Sequence, residues 1–280
     1  MPETAHPDEP RLPQEICDLI VDYNHSDRAT LKTLALVSRA WLASARYHIF
    51  YSIHIVTDLE LLGSGVAPLN FKDDRSISLL GMGPPSSFPV RHLIVGKSNI
   101  LGALREPSSI ESIFAIMAHF PRVHSLSLKH IYIEDDVTDT VTKLKTSFTT
   151  FPSRLHMLEL SRFFRVRAIR PISDIIRMFT SISYLKLDHL YRNAESFEHE
   201  PWHDYPTPPS HKIPVDRLDF ELSRVQDVPV FMEDLYSAVD VANVGCLGLT
   251  YLTEVVPPEF IKLVETSSGR LTSLIVKTHG

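Results

Sequence analysis

The chain has 280 residues, 44% of them hydrophobic, with 34 acidic against 28 basic side chains and a net charge of -6. That is enough apolar sequence for a sizeable core and about two domains, and the acidic balance argues against a general nucleic-acid binder. No run approaches the roughly 18 uninterrupted apolar residues of a membrane span. The two cysteines, Cys17 and Cys246, are too few and too far apart for a disulfide framework or a cysteine zinc site, so both are expected to be small buried thiols.

Residues 1–10, in MPETAHPDEPRLPQE, are acidic and proline-rich, without the basic and then apolar order of a signal peptide; they predict a disordered tail on a cytoplasmic or nuclear protein. Pro13 suits the first position of a helix, where its missing N–H costs nothing. Behind it Ile16, Leu19, Ile20 and Tyr23 follow helical spacing. The break NHSD offers Ser26 or Asp27 as an N-cap, after which Leu31, Leu34 and Leu36 lead into Val37, Trp41, Leu42 and Ala45 over one or two further helices. Three short helices make a core too small to stand comfortably alone, so some of this apolar surface is expected to meet something else.

Leu12-Pro13, Glu15-Ile16, Leu19-Ile20, Leu31, Leu34 and the run LVSRAW at 36–41 resemble the F-box, closest to the F-box-like proteins of fungi, over residues 11–51. The resemblance implies a three-helix motif that docks on the Skp-type adaptor of a cullin-RING ubiquitin ligase. It assigns adaptor contacts to Leu12, Pro13, Ile16, Leu31, Leu34, Val37 and Trp41. One departure is Asn24, which stands where the family usually has a leucine, before a slightly long turn.

Residues 52–90 read as an opening strand with Ile53 and Ile55, followed by an irregular insertion whose glycines form no phosphate-binding pattern. Within 91–280, strand-like segments recur: RHLIVG, HSLSLKH, HMLELSR, SYLKLDH, DRLDFEL, GCLGLTY and TSLIVKT. Their anchors, Leu93, Leu126, Leu158, Leu185, Leu218, Leu247 and Leu274, are spaced by 27 to 33 residues. Amphipathic helices are expected between most strands, in SSIESIFAIMAHFPRV, DTVTKLKTSFTTFPSRL, SDIIRMFTSIS and PPEFIKLVETSSGRL. Strand, loop and helix at this period predict an α/β fold: a leucine-rich-repeat-like strand/helix solenoid with a parallel sheet. The usual asparagine of that repeat is mostly absent, so the array resembles the degenerate repeats often joined to F-boxes.

In each strand the anchors point inward and the residues alternating with them form the other face. Those are Ser125, Ser127 and Lys129; Met157, Glu159 and Ser161; Tyr184, Lys186 and Asp188; Arg217, Asp219 and Glu221; Cys246, Gly248 and Thr250. Candidate target contacts on it are Lys129, Glu159, Lys186, Asp188, Asp219 and Glu221. RFFRVRAIR adds Arg162, Arg165 and Arg167, which suit an acidic or phosphorylated segment or equally stay wet above inward phenylalanines. The stretch HEPWH, 199–203, matches the zinc-protease pattern H-E-x-x-H, which requires a helix. Pro201 inside it and four prolines behind it predict a loop instead. The histidines at 92, 124, 130, 156 and 189 fall at or beside strands and read as a structural register. TSLIVKTHG ends on a strand without a capping helix, which predicts a truncated chain or an exposed edge.

The function expected is therefore that of a non-catalytic substrate receptor without cofactor or metal, whose F-box binds the adaptor and whose repeats bind a protein target. The rival is a leucine-rich binding scaffold that promotes no ubiquitination. A zinc hydrolase is the remote third reading.

Overall fold

The computed structural model describes residues 12–56, 90–96, 113, 117, 120–129, 153–161, 170–188, 211–222, 228–251 and 258–278. The chain divides into two compact units. Among the described residues the first holds 12–53 with Val90, and the second holds 54–56 and the residues from 91 onward. No described helix is long and apolar enough to cross a membrane. The tail at 1–10, most of the insertion, RFFRVRAI, HEPWH, His130 and His189 lie outside the described residues.

The first unit is helical. Helix α1 (Gln14–Tyr23) starts one residue after Pro13, which is its N-cap and not its first residue. The proline has extended backbone, and its carbonyl accepts the N–H groups of Ile16 and Cys17 at 3.1 and 3.2 Å. Asn24 closes the helix: its side-chain amide donates to the Ile20 carbonyl at 2.8 Å, which its own backbone N–H also meets at 3.3 Å.

Of the two expected caps for α2 (Arg28–Val37), Asp27 is the one used. Its carboxylate accepts the N–H groups of Ala29 and Thr30 at 3.0 and 3.1 Å and the Thr30 hydroxyl at 2.7 Å. These bonds, the Thr30 hydroxyl foremost, hold the Asp27 carboxyl below its ordinary range. After a break at extended Ser38, α3 (Arg39–Tyr51) packs on both other helices. Val21, Leu31 and Ala45, one from each helix, form the buried centre, with Leu34, Ala35, Trp41 and Ile49 against it. Polar ties join α1 to α3: the Ser44 hydroxyl donates to Asp18, Gln14 Nε2 donates to the Ala40 carbonyl at 3.0 Å, and His48 Nε2 meets Asp22 at 2.7 Å.

Among the described residues the sheet has nine strands: β1 (Ser52–Val56), β2 (His92–Gly96), β3 (Ser125–Lys129), β4 (Arg154–Ser161), β5 (Ser181–Asp188), β6 (Ile213–Leu222), β7 (Val239–Asp240), β8 (Cys246–Tyr251) and β9 (Ser273–Thr278). They lie in chain order, except that short β7 pairs only with the start of β6, and every register from β2 to β9 is parallel. Parallel neighbours need a crossover of a dozen or more residues, which is why the anchors recur at such long intervals.

The seven leucine anchors form one continuous row across the sheet, Leu93 to Leu274, each opposite the next. Two residues on, Val95, Leu128, Leu160, Leu187, Phe220, Leu249 and Val276 form a second row. The first six members of both rows are buried, while Leu274 and Val276 on the last strand are about half exposed. Gly96 belongs to β2 because a side chain there would strike the Lys129 carbonyl oxygen, 2.4 Å from an added Cβ.

Helices α4 (Arg170–Arg177), α5 (Val228–Ala238) and α6 (Pro258–Ser267) accompany the strands. α4 and α6 fall in the segments expected to be helical, α4 starting just ahead of SDIIRMFTSIS. α5 was not among them. The buried side chains Ile172, Ile175, Ile176, Met232, Leu235, Phe260 and Leu263 come from these helices. Phe260 packs on Phe220 with ring centroids 5.8 Å apart, which puts α6 on the anchor side of the sheet. Buried Arg177 reaches from α4 to the Ser237 hydroxyl of α5 at 2.7 Å. At the strand starts the backbone ladder continues: His124 N–H donates to Arg91 C=O and His156 N–H to His124 C=O at 2.9 and 2.7 Å. The hydroxyls of Thr180 and Thr272 cap the carbonyls of Ser153 and Gly245, both at 2.9 Å.

Replacing Leu185 by alanine is expected to cost about 2–5 kcal/mol, as for a fully enclosed leucine. The same change at exposed Leu274 should stay within about 0.5 kcal/mol. Urea unfolding followed by circular dichroism measures both.

Candidate functional site

Opposite the anchors, the alternating residues build a polar face from three rows. The middle row runs Ile94, Ser127, Glu159, Lys186, Asp219, Gly248 and Ile275. Glu159 is its electrostatic centre and is only 7% exposed. It accepts the Ser127 hydroxyl at 2.5 Å, Lys186 Nζ at 3.0 Å and Lys129 Nζ at 3.1 Å. Burial acts to raise its carboxyl, but these donors outweigh burial and hold it down to about 2. Lys186 is the counterpart: burial acts to lower its ammonium, and the hydrogen bond to Glu159 and that residue's charge more than reverse this.

A second cluster lies one strand on. Arg217 grips Asp219 through Nε at 3.1 Å and Nη2 at 2.7 Å, and its guanidinium lies 4.8 Å from the centre of the Tyr184 ring. The Tyr184 hydroxyl donates to Asp219 at 2.7 Å. Burial first, and then this bond to an anion, push the phenol up to about 12. Asp188 accepts the Ser161 hydroxyl at 3.0 Å. The expected mixed-charge surface therefore exists, but much of its charge is already paired within the sheet. Lys129, Lys186, Asp188, Asp219 and Glu221 are part-exposed, whereas Glu159 is buried among its donors. Arg162, Arg165 and Arg167 lie outside the described residues.

Past Asp219 the middle row reaches buried Gly248, whose missing side chain leaves its place to the Asp219 carboxylate. An added Cβ there would come within 2.4 Å of Asp219 Oδ1. A pocket of about 190 Å³ on this face is lined by Lys186, Arg217, Asp219, Glu221, Gly248, Thr250, Ile275 and Lys277 among others. Ile275 and Lys277 follow their anchor Leu274 by the same offsets as the other face residues. That offset is the signal by which the sequence could have revealed them.

In the helical unit the residues that carry the resemblance to the F-box separate into two sets. Leu31 is 1% exposed and forms the unit's centre, with Leu34 and Trp41 against it. Leu12, Ile16 and Val37 are instead 55%, 42% and 61% exposed, and Pro13 is exposed beside them in sequence. Leu19, Tyr23 and Leu36 add further exposed apolar area. Cys17 is buried as expected, but Cys246 is only half-buried because it stands on the polar face.

His124 and His156 do share one backbone ladder, and Arg91 Nη1 donates to His124 Nε2 at 2.6 Å. Burial, then the Arg91 charge, lowers the His124 imidazole. No cluster of three metal-ligating side chains occurs among the described residues. Compared with models of known protein families and with curated protein sequences, the chain matches none.

The Glu159 carboxyl is depressed on folding, so its ionised form stabilises the fold fully above its ordinary value of 4.5 and loses that effect as pH falls toward about 2. Glu159→Gln is accordingly expected to be less stable than the native chain at pH 7, by about 1–3 kcal/mol for charge-assisted bonds. The difference should shrink between pH 4.5 and about 2, as read by urea unfolding across that range.

Proposed function

We propose that this chain is a substrate-recognition subunit of a Skp-cullin-F-box type ubiquitin ligase. Its helical unit is then an F-box for the Skp-type adaptor, and its strands and helices form a leucine-rich-repeat-like solenoid that holds a protein target. The chain transfers nothing itself; it brings the target to a separate enzyme.

One observation carries this reading. A unit whose central buried cluster is Val21, Leu31 and Ala45, with Cys17 also enclosed, leaves Leu12, Ile16, Val37 and several neighbours in water. Exposed apolar clusters of this kind mark interaction surfaces. Three of these residues belong to the F-box pattern. The division also assigns roles: Leu31, Leu34 and Trp41 shape the motif, while Leu12, Pro13, Ile16 and Val37 meet the adaptor. For the second unit, support comes from the in-register leucine row and from strands stacked in chain order.

The test is calorimetry and co-purification with a purified Skp-type adaptor. The comparison is a Leu12→Ala, Ile16→Ala, Val37→Ala variant, which spares the enclosed core. Each truncation removes about 1–2 kcal/mol of apolar burial, so binding should weaken at least about 100-fold while circular dichroism stays native. A folded native chain that does not bind, or a variant that binds equally well, contradicts the proposal. Adaptor binding without ubiquitin transfer to a bound target would favour the scaffold.

A further inference from the structure

We infer that β9 is a dimerisation edge: two copies of this chain pair their β9 strands antiparallel, about a twofold axis that passes between the two Ile275 residues. This surface belongs to the sheet and is independent of the adaptor reading of the helical unit.

Among the described residues β9 pairs with β8 alone, so its other side is an edge of the sheet. Ser273 donates its N–H to the Gly245 carbonyl at 3.2 Å, and in a parallel ladder the backbone groups of every second residue turn the same way. Ser273, Ile275 and Lys277 therefore bond toward β8, while Leu274 and Val276 turn their N–H and C=O groups outward. The side chains along this edge are apolar on both faces: Leu274 and Val276 on the anchor side and Ile275 on the other are all about half exposed. With Phe260 and Leu263 of α6 buried and Lys262 over Tyr236 of α5, exposed Ile261 stands on the flank of α6 turned away from α5 and extends the patch. Natural sheets blunt such an edge with charge, proline or a covering element; Lys277 is the one charge in SLIVKT.

The order of residues along β9 selects a second copy as the occupant. A twofold axis at Ile275 sets Leu274 against Val276 of the second copy, and Val276 against its Leu274. These are the residues whose backbone groups point outward, so each pair exchanges two hydrogen bonds, and the two Ile275 residues meet at the close, non-hydrogen-bonded position between them. Directly opposite side chains share a face, so leucine meets valine on the anchor side and isoleucine meets isoleucine on the other. Lys277 lies opposite Ser273. The two Lys277 residues stand four positions apart along the seam, about 14 Å, which exceeds the screening length of about 8 Å at physiological salt. Every apolar side chain of the strand thus finds an apolar partner, and no like charges oppose. A head-to-tail contact with the opposite end of the sheet would not close, whereas the twofold contact does. Strands of six residues make a small contact, at the weak end of specific interfaces, so the dimer belongs to the micromolar range and the dilute chain is a single copy.

Sedimentation velocity on the full chain over a dilution series should show a shift from one to two chain masses as concentration rises. Ile275→Lys, at an exposed position, sets like charges directly opposite each other and takes two apolar side chains out of the seam. It should weaken the dimer at least about tenfold while circular dichroism stays native, and Ile275→Glu should do the same. Mixed in equal amounts, the two variants should associate about fivefold tighter than either alone, because lysine then faces glutamate. A native chain that stays single at every concentration overturns the inference. So do single variants that dimerise like the native chain, which would put the contact elsewhere, and a mixture that associates no tighter than its parts. Adaptor binding measured on the same preparations reports on the helical unit separately, because neither substitution lies in it.

Discussion

The in-register burial of one leucine per strand is the constraint on which the second unit depends. Parallel strands cannot be closed by tight turns, so each must be recovered after a long crossover and set down in the same phase as its predecessor. A slip of one residue would turn every anchor to the polar face. The row from Leu93 to Leu247 meets this condition without interruption, and the helical side chains Ile175, Leu235 and Phe260 supply buried apolar partners beyond the strands. On β9 the rows continue but their burial does not, which leaves Leu274 and Val276 in contact with water.

Once the anchors are placed, the opposite face has no freedom of its own. Its residues fall into rows, and opposite charges that are distant in sequence, Lys129, Glu159 and Lys186, become neighbours, while Tyr184 is brought against the Arg217–Asp219 pair of β6. These pairs are enclosed enough that the depressed carboxyl and the raised phenol are properties of the fold. The face is consequently less open than its composition implies.

Much of this was legible. The leucine period identified seven strands, and each anchor proved to be the register partner of the next, because a buried apolar position recurring on a long period has few geometrical explanations. Asp27 was readable as one of two caps from its place between two apolar runs. Other features depended on neighbours invisible in a single strand. Glu159 looked like a surface charge, yet two lysines and a serine from flanking strands enclose it. Cys246 looked like packing but alternates onto the polar face. In the helical unit, spacing placed Leu31 and Val37 on the same list, and only their burial separates a core side chain from an exposed one. Helix α5 was overlooked because VPVFMEDLYSA begins with a proline and β-branched residues that weaken the helical signal.

The helical unit is the part for which an adaptor is proposed, since Leu12, Ile16, Leu19, Tyr23, Leu36 and Val37 lie exposed on it. Hydrogen exchange on the full chain, with and without a purified Skp-type adaptor, addresses this most directly. The account predicts slowed exchange at the amides of residues 14–20 and 34–41, with the strands from β3 to β9 unchanged. Exchange that is the same with and without adaptor, or protection confined to the sheet, would contradict it.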